Sequence, residues 1–442
     1  MTRRQRPGGL SRRAFLTGIG AAAALSAIGI YQLKDYLAAV TPTPSGVARF
    51  VSTSMPTATS AASPTGTPSP VTPPRVAPTA SATLGQSPLP TPTGTITPAV
   101  SPTPTATSTP SPTPTYTPTP TPTPTPYPPG PPSKLGIFTT RAEGQINTLI
   151  REGKPALLKT LNLDPNLARF TKEHSPTTIV IGRLSLDQLD LTADPIPLAH
   201  QLASQLLEYA LEPVRFQYFD AWEGYNEPVA DTPDKMKRLA DLEAERTRLL
   251  GEQGIRSVVG NFGAGHPPME LWEYFTPALD AVRQYKGYLG LHEYSAPIMQ
   301  YGFGKLQEGG GDEGDEGWLT IRYRKAYRHY LRPLGYGDIP ILITECGVDG
   351  TVRPRPGPDE AKGWRDFEEF WIENGLRTDT PGVYMDQLIW YDSELQKDDY
   401  VKGAAIFAAG ASPGWESYEL LGRALELLTQ YLKVHPPTQV PR

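Results

Sequence analysis

Two stretches of this chain place side chains that can move protons at points where an apolar run ends. Residues 219–228 read FDAWEGYNEP, so that Asn226 and Glu227 stand side by side in a loop after an apolar segment. Residues 341–347, ILITECG, end a second apolar run on Glu345 in the same manner. Two carboxyl groups brought to one centre can divide acid and base work, one giving a proton to a departing oxygen while the other stabilises or captures the carbon it leaves. A lone Glu at a strand end is ordinarily a solvated or ion-paired residue, so the reading depends on whether the fold brings these two together.

The elements around them are short apolar strands alternating with amphipathic helical stretches. Strands are expected over 135–139, 156–161, 178–183, 215–223, 257–262, 288–294, 341–345 and 403–408, and helices over 198–210, 235–251, 271–285, 323–331, 363–374 and 417–434. Repeated strand and helix in this order predict the α/β class, as one (β/α)8 TIM barrel over residues 134–442. An open doubly wound sheet is the other arrangement of such units, but no glycine-rich phosphate loop follows the first strand. In the barrel every loop that follows a strand emerges on one face. Glu227, after the fourth strand, and Glu345, ending the seventh, would then meet across the mouth.

Asn-Glu-Pro after strand 4 and a Glu ending strand 7 resemble the retaining glycoside hydrolases of clan A. The resemblance covers residues 134–434 and implies that Glu227 is the general acid/base and Glu345 the nucleophile. It further implies that Asn226 binds the hydroxyl beside the anomeric carbon. In His292-Glu293-Tyr294, strand alternation turns His292 and Tyr294 to one side. A His-x-Tyr pair on strand 6 also recurs in that group, with the Tyr on the nucleophile and the His near the sugar. Arg183, ending strand 3, is costly to point into a barrel and is expected either to pair with a reactive carboxylate or to form a rim salt bridge. Sugar faces stack on aromatic rings, and Trp222, Tyr225, Trp390, Tyr391 and Trp415 are candidates, with Trp390 and Trp415 taken as substrate-binding. Strand 8, GAAIFAAG, departs from the group by lacking the Trp that floors the cleavage subsite in many members. The expected activity is hydrolysis of an O-glycosidic bond in an extracellular oligo- or polysaccharide by retaining double displacement. A carbohydrate-binding barrel without catalysis and a transglycosylase are the alternatives.

Other patterns carry less. Residues 410–414, GASPG, fit Gly-x-Ser-x-Gly, but Pro413 lacks the N–H that an oxyanion hole needs there. The acidic stretch 308–316 lacks the spacing of a calcium loop and reads as a solvated loop beside the mouth. Cys346 follows Glu345, so its thiol should turn away into packing. No cofactor or metal is expected. The net charge of −5 offers no basic face for nucleic acid, and the single cysteine excludes an internal disulfide. A monomer is expected.

Arginines 12 and 13, followed by Ala-Phe-Leu and an apolar run to Tyr31, make residues 1–40 look like a twin-arginine export signal or a retained membrane anchor. Residues 41–133 are mostly Thr, Pro, Ser and Ala, too poor in apolar side chains to fold. Their roughly 90 residues at about 3.1 Å each would reach on the order of 250 Å if fully extended. The sequence therefore describes an exported or surface-tethered barrel.

Overall fold

A computed structural model describes residues 127–437, apart from 162, 304–313 and 354. The signal, the anchor and nearly all of the linker lie outside the described residues. Eight parallel strands close in chain order: β1 (Leu135–Thr139), β2 (Leu157–Thr160), β3 (Ile179–Gly182), β4 (Ala221–Glu223), β5 (Ser257–Phe262), β6 (Tyr288–Ser295), β7 (Ile341–Val348) and β8 (Val401–Ala409). Burial on both faces explains why they read as almost unbroken apolar runs. Their inward side chains, among them Phe138, Leu157, Ile181, Ala221 and Leu342, fill the barrel with an apolar plug. Outward ones join the helices in a larger core.

The strand expected over 215–223 is shorter than that, because Pro213–Tyr218 is a helix. Its start is marked by Pro213 in the first turn and by the Glu212 side chain, which accepts from the N–H groups of Val214 and Arg215. Leu271–Phe275 is a tight turn of 3-10 helix within Met269–Phe275 before the α-helix Thr276–Gln284. The closing helix is Arg423–Val434, shorter than the expected 417–434. Helices Pro165–His174 and Thr380–Leu395 were not foreseen. The second is buried on several sides, at Tyr384, Met385, Leu388, Tyr391 and Leu395 among others, so it has no single apolar stripe to betray it.

The last residues of the 41–133 segment pack on this body. Tyr127 meets Tyr431 edge-on at 5.6 Å between ring centroids, and Gly130 N–H donates to Val434 O at 3.2 Å. Among the described residues, no helix is long and apolar enough to cross a membrane.

Candidate active site

The strand ends set the geometry. Along β6 and β7, Leu291 faces Ile343 while His292 faces Glu345, so a bulge skips Thr344 and brings Glu345 level with His292. On the far side, Glu227 adopts a left-handed backbone with φ 44°, held by its N–H donating to Asn261 O at 3.1 Å. Gly263 gives it room, since a Cβ there would lie 3.2 Å from the Glu227 carboxyl carbon. The two glutamates thus face one cleft of about 300 Å³, also lined by Asn226, Arg183, Tyr294, Asp349, Phe407 and Trp415.

Their surroundings differ. Glu345 Oε1 accepts from Lys159 Nζ at 2.9 Å and from an Arg183 guanidinium nitrogen at 3.0 Å. Its Oε2 accepts from the Tyr294 hydroxyl at 2.8 Å, with His292 Nδ1 3.7 Å away. Burial alone would push the Glu345 carboxyl up, but the fields of His292, Lys159 and Arg183 outweigh it and hold the group well below the usual carboxylate range. Among the described residues the Glu227 carboxyl has one side-chain partner, His292 Nδ1 at 2.8 Å from Oε1, and its side chain is 42% exposed against 8% for Glu345. One carboxyl is therefore fixed as an anion, and the other stands open to solvent and substrate.

Beneath Glu345 lies a pair that sequence reasoning missed. Lys159 Nζ is also 2.8 Å from Glu223 Oε2, and both side chains are fully buried. A lysine in the apolar run ALLKTL is the signal that could have found it, by the same argument that singled out Arg183. Arg183 reaches inward to Glu345 and also donates to Asn226 Oδ1. That bond occupies the amide oxygen and leaves the NH2 of Asn226 as the group able to donate into the cleft. His292 sits on Glu227, with Nδ1 2.8 Å from Oε1.

The aromatic residues sort differently from expectation. Trp415 lines the cleft and is 48% exposed. It meets Phe407 of β8 edge-on at 5.3 Å, and Phe407, a ring that sequence reasoning did not single out, lines the cleft as well. Trp390 and Tyr391 are not in a post-strand loop: both ride on the helix Thr380–Leu395 that precedes β8. Trp390 packs on Phe303 at 5.5 Å and is not among the residues lining the cleft. Tyr391 is buried and donates to Glu293 at 2.7 Å. Trp222 stacks on Phe219 in the outer core at 4.9 Å, and Tyr225 packs against that core, half-buried.

Ser412 lines the cleft too, but its hydroxyl donates to Thr140 Oγ1 at 2.8 Å and has no histidine partner among its described bonds. Cys346 is buried in the outer core. Most of the acidic stretch lies outside the described residues; Asp315 and Glu316 pair with Arg328 at 2.6 and 3.2 Å. Glu227, His292 and Glu345 each offer one donor atom, all within 4.8 Å of one another. Two cations already sit on Glu345, so a metal ion there would meet like charge at close range, and the cluster does not suit one.

No family model matches the chain, and no curated protein matches it. It is similar to solved structures over the barrel. A GH128 (subgroup II) endo-beta-1,3-glucanase from Pseudomonas viridiflava shares 14% identity, with 68% of this chain and 96% of that chain covered and a TM-score of 0.36. A GH5-4 broad specificity endoglucanase from Clostridum cellulovorans shares 11%, over 69% and 94%, at 0.41. The GH53 catalytic domain from Ignisphaera aggregans shares 12%, over 69% and 92%, at 0.40. These structural neighbours are glycoside hydrolases of the clan A type that the sequence resembles, and the likeness is one of fold.

Proposed function

We propose that this chain is a retaining glycosidase acting on an O-glycosidic bond of an extracellular oligo- or polysaccharide. The observation that carries the reading is the pair itself: carboxylate oxygens of Glu227 and Glu345 within 4.8 Å, one buried among cations and one open to the cleft. Carboxyl groups about 5–5.5 Å apart suit double displacement, whereas inversion needs a wider gap to admit water between them.

In this mechanism Glu345 attacks the anomeric carbon, forming a C–O ester bond as the glycosidic C–O bond breaks. The electrons of that bond go to the leaving oxygen, which takes the proton of Glu227. Glu227 then removes a proton from water, which attacks the same carbon and expels Glu345. Of the Glu345 oxygens, Oε1 is held by two cations and Oε2 by one neutral hydroxyl, which favours Oε2 as the attacking atom. Asn226 donates to the neighbouring hydroxyl, where contacts strengthen as positive charge develops. Phe407 and Trp415 supply the apolar wall. The apolar run after the paired arginines and the Thr/Pro tether support an exported enzyme held at the cell surface.

Replacing Glu345 with Ala should abolish hydrolysis across a panel of aryl glycosides, and added azide should restore turnover with a glycosyl azide of inverted configuration as product. Hydrolysis by that variant at the wild-type rate would sink the assignment.

A further inference from the structure

We propose that Glu223 is the counter-ion that carries Lys159 through the stage when Glu345 is esterified, which makes the Glu223–Lys159 pair a positioning device for the reaction. The inference rests on the retaining reading above.

In the resting protein Lys159 has two carboxylates, Glu345 at 2.9 Å and Glu223 at 2.8 Å, and none of its side chain reaches solvent. Double displacement removes one of them. When Glu345 joins the anomeric carbon, its carboxylate becomes a neutral ester, the alcohol leaves neutral with the proton of Glu227, and the negative charge passes to Glu227, whose carboxylate is held by His292 on the cleft side. Arg183 also faces this oxygen, but its side chain is 12% exposed and it keeps the amide oxygen of Asn226. Lys159 has no such outlet. Its Nζ also lies 4.9 Å from the centre of the apolar Phe138 ring, and a buried ammonium without a counter-ion is among the costliest arrangements in a protein interior.

Glu223 answers that need by position. It ends β4 four residues before Glu227 and points inward like Ala221 of the apolar plug. It lies below the cleft and is not among its lining residues, so it is retained by Lys159 whatever happens to Glu345. The barrel thus carries one carboxylate that reacts and a second, beneath it, that does not. The other charged or titratable groups facing Glu345 are Arg183, His292, Tyr294 and Glu227; Glu227 is an anion at this stage, but it is held by His292 on the cleft side, and the carboxylates on Lys159 are Glu345 and Glu223.

Two measurements test the proposal. The first needs no substrate. Glu345→Gln mimics the neutral ester, so Glu345→Gln and Glu223→Gln should each lower Tm modestly, because Lys159 keeps one carboxylate in either case. The double variant should fall by about 5 °C or more beyond the sum, and adding Lys159→Met should restore most of that excess. Additive losses overturn the proposal.

The second measurement follows the ester itself with a panel of 2-deoxy-2-fluoroglycosyl fluorides, reading the sugar adduct by mass. Glu223→Gln should slow labelling and speed reactivation, each by about tenfold or more, since the esterified state is the one it destabilises. Labelling and reactivation at wild-type rates overturn the counter-ion role. A wild type that never gains the sugar's mass refutes the retaining reading instead, which keeps the two failures apart.

Discussion

Glu227 and Glu345 are one kind of side chain placed in two environments. Glu345 has two cations and a phenol on its oxygens, and Glu227 has a histidine and open cleft. The depressed pKa of Glu345 means that its ion pairs stabilise the fold above the unfolded value of about 4.3, and that this stability is lost as pH falls through the folded pKa. For Glu227 the consequence is kinetic. Glu227→Gln should cut kcat by about 10²–10⁴ on substrates whose leaving group needs a proton, yet have far less effect on formation of the ester from dinitrophenyl glycosides, whose leaving group departs unprotonated. Steady-state and burst kinetics on the two substrate types read the difference, and equal losses on both would argue against the acid role. Both glutamates were legible because each closes an apolar run. Lys159, Glu223 and Phe407 were missed: a lysine in an apolar run was the one signal, and for Glu223 and Phe407, both on strands, sequence cannot tell a side chain in the upper layer of the barrel from one in the plug below.

At the level of elements, strands were easier to read than helices. Those buried on both faces announced themselves by unbroken apolar runs, and β1 and β5 fall on their expected bounds. Pro213–Tyr218 was hidden because tertiary burial of a neighbouring run resembled strand, although its cap and proline gave a local signal. One strand residue also anchors a helix. Glu293 of β6 turns to the outer layer, where its carboxylate accepts from Ile321 and Tyr323 N–H at 2.8 Å each and from the Tyr391 hydroxyl. Burial pushes its pKa up to about 7 against these bonds. The folded state therefore binds a proton that the unfolded chain has released between about pH 4.3 and 7, so stability from this group is full below that window and is lost as pH rises through it. Melting at pH 5 and pH 8 should show a decline on the order of 5 °C in the wild type, flattened in Glu293→Gln. The same decline in both proteins would remove Glu293 as its source.

Over the whole molecule, the barrel and its mouth could be read from strand order alone, because closure in chain order forces strands 4 and 7 to opposite sides of one face. Substrate-facing aromatics could not. Trp390 and Trp415 were both expected in or near loops that follow strands, and only the three-dimensional path shows that one lies on a packed helix while the other stands at the cleft. The boundary of the folded body was also blurred: Tyr127 and Gly130 belong by composition to the Thr/Pro stretch and by contact to the closing helix.

Trp415 has a use beyond stacking. Of the seven tryptophans it is the one that ranks among the exposed large side chains, at 48%, while Trp222, Trp272, Trp364 and Trp371 are fully enclosed. Solvent contact makes it the red edge of the protein's intrinsic fluorescence, so a glycan that covers it should move the emission to shorter wavelength, and Trp415→Phe should erase the change. An emission spectrum unmoved by a glycan that the protein cleaves would place the sugar away from this ring. Because the signal needs no turnover, a reaction-dead Glu345→Ala protein becomes an optical sensor with which unlabelled polysaccharides can be sorted by binding.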